Sequence, residues 1–258
     1  MTASTPLPHR VALFATCLVE TFRPAVGFAA IKLLRAAGME VAVPPGQTCC
    51  GQPSFNSGDR AGAKRLAKRV IAEFEDYEAV VVPSGSCAGM IREHYPALFA
   101  DDAQWGPRAA RLAAKTHELT AFLVDVCGVE TVEVERAASA AYHDSCSARR
   151  EMKVLSQPRK LLASVAGLEL REIDEPEECC GFGGTFCVKN PDISGRMVEE
   201  KAKAALATGA DMLLAGDMGC LLNIAGRLRR MGSAMEVRHV AEVLAGDTET
   251  PGIAEPEK

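Results

Sequence analysis

The chain has 258 residues, 48% of them hydrophobic and 24% charged, a balance that can bury a core without covalent staples. Its net charge of −5 at pH 7 argues against a nucleic-acid partner, because phosphate binding needs clustered Lys and Arg. The opening residues 1–8 lack a basic region followed by an apolar run, and no stretch of ~18 apolar residues occurs, so the expectation is a cytoplasmic protein without a signal peptide or membrane span.

In chain order, residues 11–15 predict a strand leading to Cys17, and residues 25–37 a helix closed by Gly38. Residues 39–43 predict a second strand that runs to Cys49-Cys50-Gly51. An amphipathic helix follows over 61–74, then a third strand over 79–82 just before Cys87. Residues 117–123 read as a closing helix and 131–135 as a short strand. The order then recurs: strand 140–143 to Cys146, helix 159–166 closed by Gly167, strand 168–173 to Cys179-Cys180-Gly181. Helix 194–207, strand 212–215 before Cys220, and helix 239–244 complete it. Alternating strands and helices predict an α/β fold: two tandem repeats of a mainly parallel, Rossmann-like unit related by a pseudo-two-fold axis. The first cysteine-rich repeat is expected over residues 1–136 and the second over 137–245, with 246–258 a flexible tail.

Ten cysteines in a reducing compartment point to metal binding or catalysis rather than disulfides. Eight form two matching sets, Cys17, Cys49, Cys50 and Cys87, then Cys146, Cys179, Cys180 and Cys220. The first gap is 31 residues in one set and 32 in the other, and the second gap is 36 and 39. Each of these cysteines is expected just beyond the C-terminal end of a predicted strand, where open parallel sheets hold ligands. Structural zinc sites favour Cys-x-x-Cys pairs, and none occurs here. An adjacent pair instead suits a polynuclear cluster, each thiolate reaching a different iron. Four thiolates per repeat match an iron–sulfur cluster, [4Fe–4S] before [2Fe–2S], one per repeat. Zinc and a metal-free thiol protein are the alternatives. Gly51, Gly181, Gly183 and Gly184 either bring backbone N–H groups to a cofactor or form ordinary turns.

The segments GQTCCGQP (46–53), FNSG (55–58) and PSGSC (83–87), with CCGFGGTF (179–186) and DMGCL (217–221), resemble the CCG cysteine-rich domain family of iron–sulfur oxidoreductase subunits. The likeness spans about residues 10–245. That family includes the cysteine-rich catalytic component of heterodisulfide reductase and the iron–sulfur subunit of glycolate oxidase, and the likeness leans toward its lactate-utilisation members. The resemblance implies an iron–sulfur electron-transfer subunit of a complex oxidising L-lactate, or a similar 2-hydroxy acid, to the 2-oxo acid. Its partners would be another iron–sulfur protein and a small subunit, and the chain would be an oxidoreductase subunit inactive on its own. Two other readings stand beside it: a heterodisulfide-reductase-like catalytic subunit acting on a disulfide or quinone, and a non-redox zinc scaffold. In the heterodisulfide reductase component each repeat ends in Cys-x-x-Cys and five thiolates hold a noncubane cluster. Here the extra position is Ser84 or Asp217, which leaves four ligands per repeat. Family members often carry histidine after the first cysteine of the second repeat, where this chain has Ser147.

Further residues carry two readings each. Cys187 is an extra ligand or a small buried residue, and Cys127 reads as core. His143 leads to Cys146 and is either a relay or hydrogen-bond donor to a cluster, or a satisfied core histidine. His117 and His239 suggest a shared helix-capping role. Arg149 and Arg150 either offset cluster charge or hold a substrate carboxylate, or else start a solvated helix. No dinucleotide-binding Gly motif, P-loop or Ser/His/Asp arrangement is present.

Overall fold

The computed structural model describes residues 8–174 and 177–255. The opening residues 1–7, which bear on the leader expectation, and the last three residues of the tail lie outside the described residues.

The first repeat opens with β1 (Arg10–Leu13), α1 (Cys17–Phe22) and α2 (Pro24–Ala36), then β2 (Glu40–Ala42). Pro24 starts α2 at the position where its missing N–H is harmless, and Gly38 follows at φ 85°. After β2 come α3 (Gln52–Asn56) and α4 (Arg60–Phe74). The Asp59 carboxylate caps α4 by accepting from the Gly62 N–H at 2.8 Å. Ala63, Ala67, Val70, Ile71 and Phe74 form its buried stripe. β3 (Ala79–Val82) is buried on both faces, as a central parallel strand must be. It leads into α5 (Gly85–Gly89), a π-helical segment Met90–His94, α6 (Tyr95–Leu98) and α7 (Gly106–Ala114). β4 (Thr116–Glu118), α8 (Leu119–Ala121) and a second π-helical segment Phe122–Val126 close the repeat.

The second repeat follows the same order: β5 (Glu135–His143), α9 (Cys146–Arg150), α10 (Ser156–Ala163) and β6 (Ala166–Glu172). α11 (Phe186–Lys189), α12 (Pro191–Ala207), β7 (Met212–Ala215), α13 (Met218–Arg230), β8 (Glu236–His239) and α14 (Val240–Leu244) complete it. The sheets run β2-β1-β3-β4 and β6-β5-β7-β8, every pair parallel. Chain order reverses between β1 and β3 and again between β5 and β7, and it is at such switch points that ligands sit.

Several expectations are corrected. Residues 117–118 and 239 are strand, not helix, so each sheet gains a fourth parallel strand. Residues 131–134 form no strand; β5 begins at Glu135 and runs across the expected 136/137 boundary. Gly167 lies inside β6 at φ 78°, against the irregular Glu135/Ala138 pairing, rather than ending a helix. The tail expected to fray is docked over its described part: the Ile253 N–H donates to Val237 O at 2.8 Å, and the Ile253 side chain is buried.

The repeats interlock by exchanging their last helices. α14 of the second repeat packs on α2 of the first, and α8 with its π-helical extension packs on α10 of the second. Arg23 and Glu242 form a buried ion pair at 2.7 Å across this seam, and Lys32 donates to Ala245 O at 2.7 Å. The ends of β4 and β8 meet the opposite repeat in the same way. His239 donates through Nε2 to Pro83 O at 3.2 Å, with Nδ1 accepting from the Ala241 N–H, while buried Glu118 faces Gly216 and Tyr142.

Candidate metal centres

Each set of four thiols is gathered at one sheet edge by three different pieces of backbone. Cys17 begins α1 just past β1, Cys87 lies in α5 just past β3, and the doublet follows β2. Cys17 and Cys87 therefore flank the switch point between β1 and β3. The second set repeats this with Cys146 in α9, Cys220 in α13 and the doublet after β6.

The thiols touch in an unbroken chain. Cys17 bonds Cys49, Cys49 bonds Cys50, and the Cys50 thiol donates to Cys87 Sγ at 3.4 Å. Cys146, Cys179, Cys180 and Cys220 are linked in the same order. In both doublets the following glycine, left-handed at φ 87° (Gly51) and 77° (Gly181), turns its N–H onto the first cysteine's Sγ at 3.4 Å. A left-handed backbone of this kind favours glycine. The carbonyl of the second cysteine is also held in each repeat, by buried Tyr95 Oη at 2.7 Å from Cys50 O and by Asn223 Nδ2 at 2.8 Å from Cys180 O.

This geometry sorts the thiols by acidity. The Cys17 and Cys50 thiols stabilise a Cys49 thiolate, with the Gly51 N–H adding to them, and pull its pKa down to about 3. Cys179 falls to about 2 through Cys146, Cys180 and the Gly181 N–H. The partners move the other way: hydrogen bonds to Cys49, then burial, raise Cys17, and the same pattern about Cys179 raises Cys146. The first cysteine of each doublet is thus the thiol whose ionised form its neighbours favour most.

The surroundings of the two sets differ. Over the first lies a cavity of about 210 Å³ bounded by Cys17, Cys49, Cys50 and Cys87 below and by Phe182, Val188 and Met218 of the second repeat. Cys179 instead borders a space that reaches Asn56 and Ser57 of the first repeat. Behind the first set stands Phe14, whose ring meets Phe74 edge-on at 5.4 Å between centroids. His143 has the corresponding place in β5. One of its ring nitrogens and the sulfurs of Cys180 and Cys220 all lie within 4.8 Å of one another. Burial lowers the His143 pKa to about 4. Lys201 of α12 is fully buried beside Glu178, Cys180, Asp144 and Cys179. Gly51 faces Ala63 and Leu66 while Gly181 faces Ser194 and Met197, so four residues further along each helix Lys201 matches Val70.

The remaining candidates are placed as follows. Ser84 caps α5, accepting from the Cys87 N–H at 3.3 Å. Asp217, buried, accepts from the Ser86 N–H at 2.8 Å and its hydroxyl at 3.1 Å. Where the heterodisulfide reductase component has a thiolate, this chain therefore has a tie between repeats. Cys187 lies on α11, its thiol donating to Gly184 O at 3.3 Å, outside the chain of touching thiols. Cys127 is half-buried against the core. Arg149 pairs with Glu177, and Arg150 reaches Glu177 O at 3.5 Å. His239 does cap a helix, α14, but Glu118 rather than His117 caps α8. Lys201 was missed from the sequence. Its signal is periodicity: Ser194, Val198, Lys201 and Ala205 form the buried stripe of α12, and a lysine in such a stripe demands a partner.

Helices that carry thiols of the two sets pack together across the repeat seam. α5, which carries Cys87, packs on α9, which carries Cys146, and α1 packs on α13. Gly85 makes this approach feasible, since a Cβ there would lie 2.5 Å from that of Ala148. Among the described residues no helix is long and apolar enough to cross a membrane.

The cysteine-rich domain model of the CCG family matches residues 11–92 and 140–225. Lactate utilization protein A of Bacillus subtilis (strain 168) is 50% identical over 235 residues, 91% of this chain and 98% of that protein. Lactate utilization protein A 2 of Bacillus cereus (strain Q1) is 47% identical over 236 residues, 92% and 98% of the two chains. Among solved structures, a hypothetical protein from Helicobacter pylori shares the fold at a TM-score of 0.67 and 11% identity, over 95% of this chain and 50% of that one. With both repeats matched and its relatives aligned nearly end to end, the chain belongs to the CCG cysteine-rich domain family.

Proposed function

We propose that the chain is an iron–sulfur electron-transfer subunit of a system that oxidises L-lactate, or a similar 2-hydroxy acid, to the 2-oxo acid. The observation that carries this reading is the pair of equivalent four-thiol chains, Cys17–Cys49–Cys50–Cys87 and Cys146–Cys179–Cys180–Cys220. The lactate assignment follows the relatives named lactate utilization protein A. Thiolate donors on separate backbone segments, glycine N–H groups aimed at sulfur and a cavity over the first set suit a [4Fe–4S] cluster in each repeat. Such a cluster supplies one-electron transfer when bound.

The chain's own residues do the rest. Thiolate ligands bind a metal in their deprotonated form, and Cys49 and Cys179 are the thiols whose ionised forms are most favoured, so uptake rises with pH. The Gly51 and Gly181 N–H groups stabilise sulfur charge. Phe182, Val188 and Met218 line the cavity over the first set. Asp217 and Ser86 bind the loops that carry Cys220 and Cys87 to each other. The lactate-utilization relatives support a reading in which substrate chemistry belongs to a partner subunit.

The test is anaerobic purification with iron, sulfide and zinc determination, followed by addition of L-lactate with and without candidate partner subunits. The expected result is about eight iron and eight sulfide per chain, with the visible absorbance bleached by lactate only when partners are present. Sustained lactate oxidation by the chain alone would overturn the subunit role. A colourless zinc protein that takes up no cluster on reconstitution would overturn the redox reading.

A further inference from the structure

His143 has no hydrogen-bond partner at either ring nitrogen, although it is 2% exposed. An imidazole carries at least one N–H donor or one lone pair at each nitrogen, and buried groups of this kind are nearly always satisfied. The chain's four other histidines, His9, His94, His117 and His239, are not orphaned in this way. His239 is bonded at both nitrogens, and His94 meets Glu151 at 3.2 Å and stacks on Phe55. His9 is at the surface near Glu40, and His117 lies against Phe122. What lies in reach of His143 is the second thiol set, with Cys180 and Cys220 sulfurs inside 4.8 Å of one ring nitrogen and of each other.

The first repeat shows that the fold itself does not need this histidine. The register that sets Leu13 beside Val81 sets Tyr142 beside Leu214, so Phe14 and His143 hold the same place. Phe14 is satisfied by apolar packing alone. The exchange of Val70 for buried Lys201 falls in the same repeat and on the same side of the thiols. Two polar residues therefore stand where the first repeat has two apolar ones, and both lie near Cys180.

We propose that His143 is a direct donor to the metal–sulfur group of the second thiol set, which gives that centre a nitrogen contact the first centre lacks. The inference rests on the reading of the thiol sets as iron–sulfur sites. A ring nitrogen bound to iron and a ring N–H donated to sulfur both meet the need of the imidazole. They differ in the size of the nitrogen hyperfine coupling, large in the first and small in the second. An N–H donated to sulfur also favours the reduced form of the second centre, whereas a nitrogen bound to iron in addition to the four thiolates favours its oxidised form.

The experiment uses the full chain carrying Cys49→Ser and Cys50→Ser, so that only the second site loads. Histidine is labelled with ¹⁵N, and iron and sulfide are determined on the sample used for electron spin-echo spectroscopy of the reduced protein. A histidine ¹⁵N coupling is expected, absent from both His143→Phe and His143→Gln. Phe is the residue the first repeat accepts in this place, and Gln keeps a donor should the larger ring misfold. For an N–H donated to sulfur the potential of the second centre is expected to fall in His143→Phe and to recover in part in His143→Gln, and for a nitrogen bound to iron it is expected to rise in His143→Phe. Full iron and sulfide with no histidine coupling, or a coupling that survives His143→Phe, would overturn this inference while leaving the cluster reading intact. A chain that takes up no iron and sulfide would overturn both.

Discussion

The two repeats share a strand order and a ligand pattern, yet they set their thiols in different surroundings. The first repeat backs its set with Phe14 and Val70 and lies under an apolar cover drawn from the second repeat. The second backs its set with His143 and Lys201, two buried polar side chains. Burial pulls the Lys201 pKa down, and Glu178, Cys180, Asp144 and Cys179 around it hold it up. Added electron density is stabilised by nearby positive charge and by donors. The same ligand set is therefore expected to accept electrons more readily in the second repeat.

The sharpest way to separate the two sites is to remove one doublet at a time. Cys49→Ser with Cys50→Ser, and Cys179→Ser with Cys180→Ser, are each expected to lose half of the iron and sulfide. The remaining signal should belong to the other site, the one at lower potential surviving in the Cys179/Cys180 variant. Loss of all iron in either variant would show that the two sets hold a single shared group. The seam offers the next largest effect. Where α14 crosses α2, Arg23 and Glu242 are paired and buried, whereas Gln157 and Asp125 hold the corresponding α10 crossing at the surface at 2.7 Å. Arg23→Ala leaves the Glu242 carboxylate buried without its partner and is expected to cost about 3–5 kcal/mol in urea unfolding. Gln157→Ala, which removes a hydrogen bond at the surface, is expected to change stability by under about 0.5 kcal/mol. Equal costs would mean that the two crossings are energetically alike.

The cysteine spacing and the central strands were legible because they depend on local pattern. Residues 79–82 and 212–215 are continuous apolar runs that read as buried parallel strands, and their bounds agree with β3 and β7. β4 and β8 were not legible for the opposite reason. Thr116–Glu118 and Glu236–His239 are short, carry charge, and pair along one side only. Residues 117–118 and 239 read as the starts of the helices that follow them. Gly167 misled because a left-handed glycine marks a helix end or a strand irregularity equally well. The exchange of α8 and α14 between repeats depends on packing between distant segments, which no local periodicity reports. His143 was legible as a candidate, but its orphaned nitrogens and its apolar counterpart Phe14 required the fold.

The strand ends at the seam give a pH comparison. Burial raises the Glu118 pKa from 4.5 to about 7, so the folded chain binds this proton more tightly than the unfolded chain does. Its contribution is complete below about pH 4.5 and is lost as pH rises through 7. His239, at the matching end of β8, is lowered from 6.5 to about 4 by burial. Its contribution is complete above about pH 6.5 and is lost as pH falls through 4. Glu118→Gln keeps an acceptor for the Thr120 and Ala121 N–H groups and removes the ionisation. It is expected to gain about 2–3 kcal/mol over the parent at pH 8 and little at pH 5. A gain of equal size at both pH values would place the effect in packing rather than in ionisation.

The smallest expected difference concerns the two glycines that turn their N–H groups onto sulfur. Both are left-handed, so alanine at either position carries a strain of about 1 kcal/mol. They differ in the room available. A Cβ on Gly51 would have Ala63 O as its nearest neighbour at 3.4 Å, an ordinary contact, whereas one on Gly181 would lie 2.8 Å from Ser194 O and 3.0 Å from Met197 Cβ. Those atoms belong to α12, which also ties Ser194 Oγ to Gly181 O at 2.8 Å. α12 must therefore shift, and it carries Lys201 with it. Gly51→Ala is expected to cost about 1 kcal/mol, and Gly181→Ala about 2–3 kcal/mol once the overpacking is added. In the loaded protein only Gly181→Ala should also move the potential of the second centre, because only there does the glycine press on the helix that supplies the buried cation. Equal unfolding costs, with neither potential displaced, would show that α12 yields freely and that the second thiol set does not depend on how closely that helix is held.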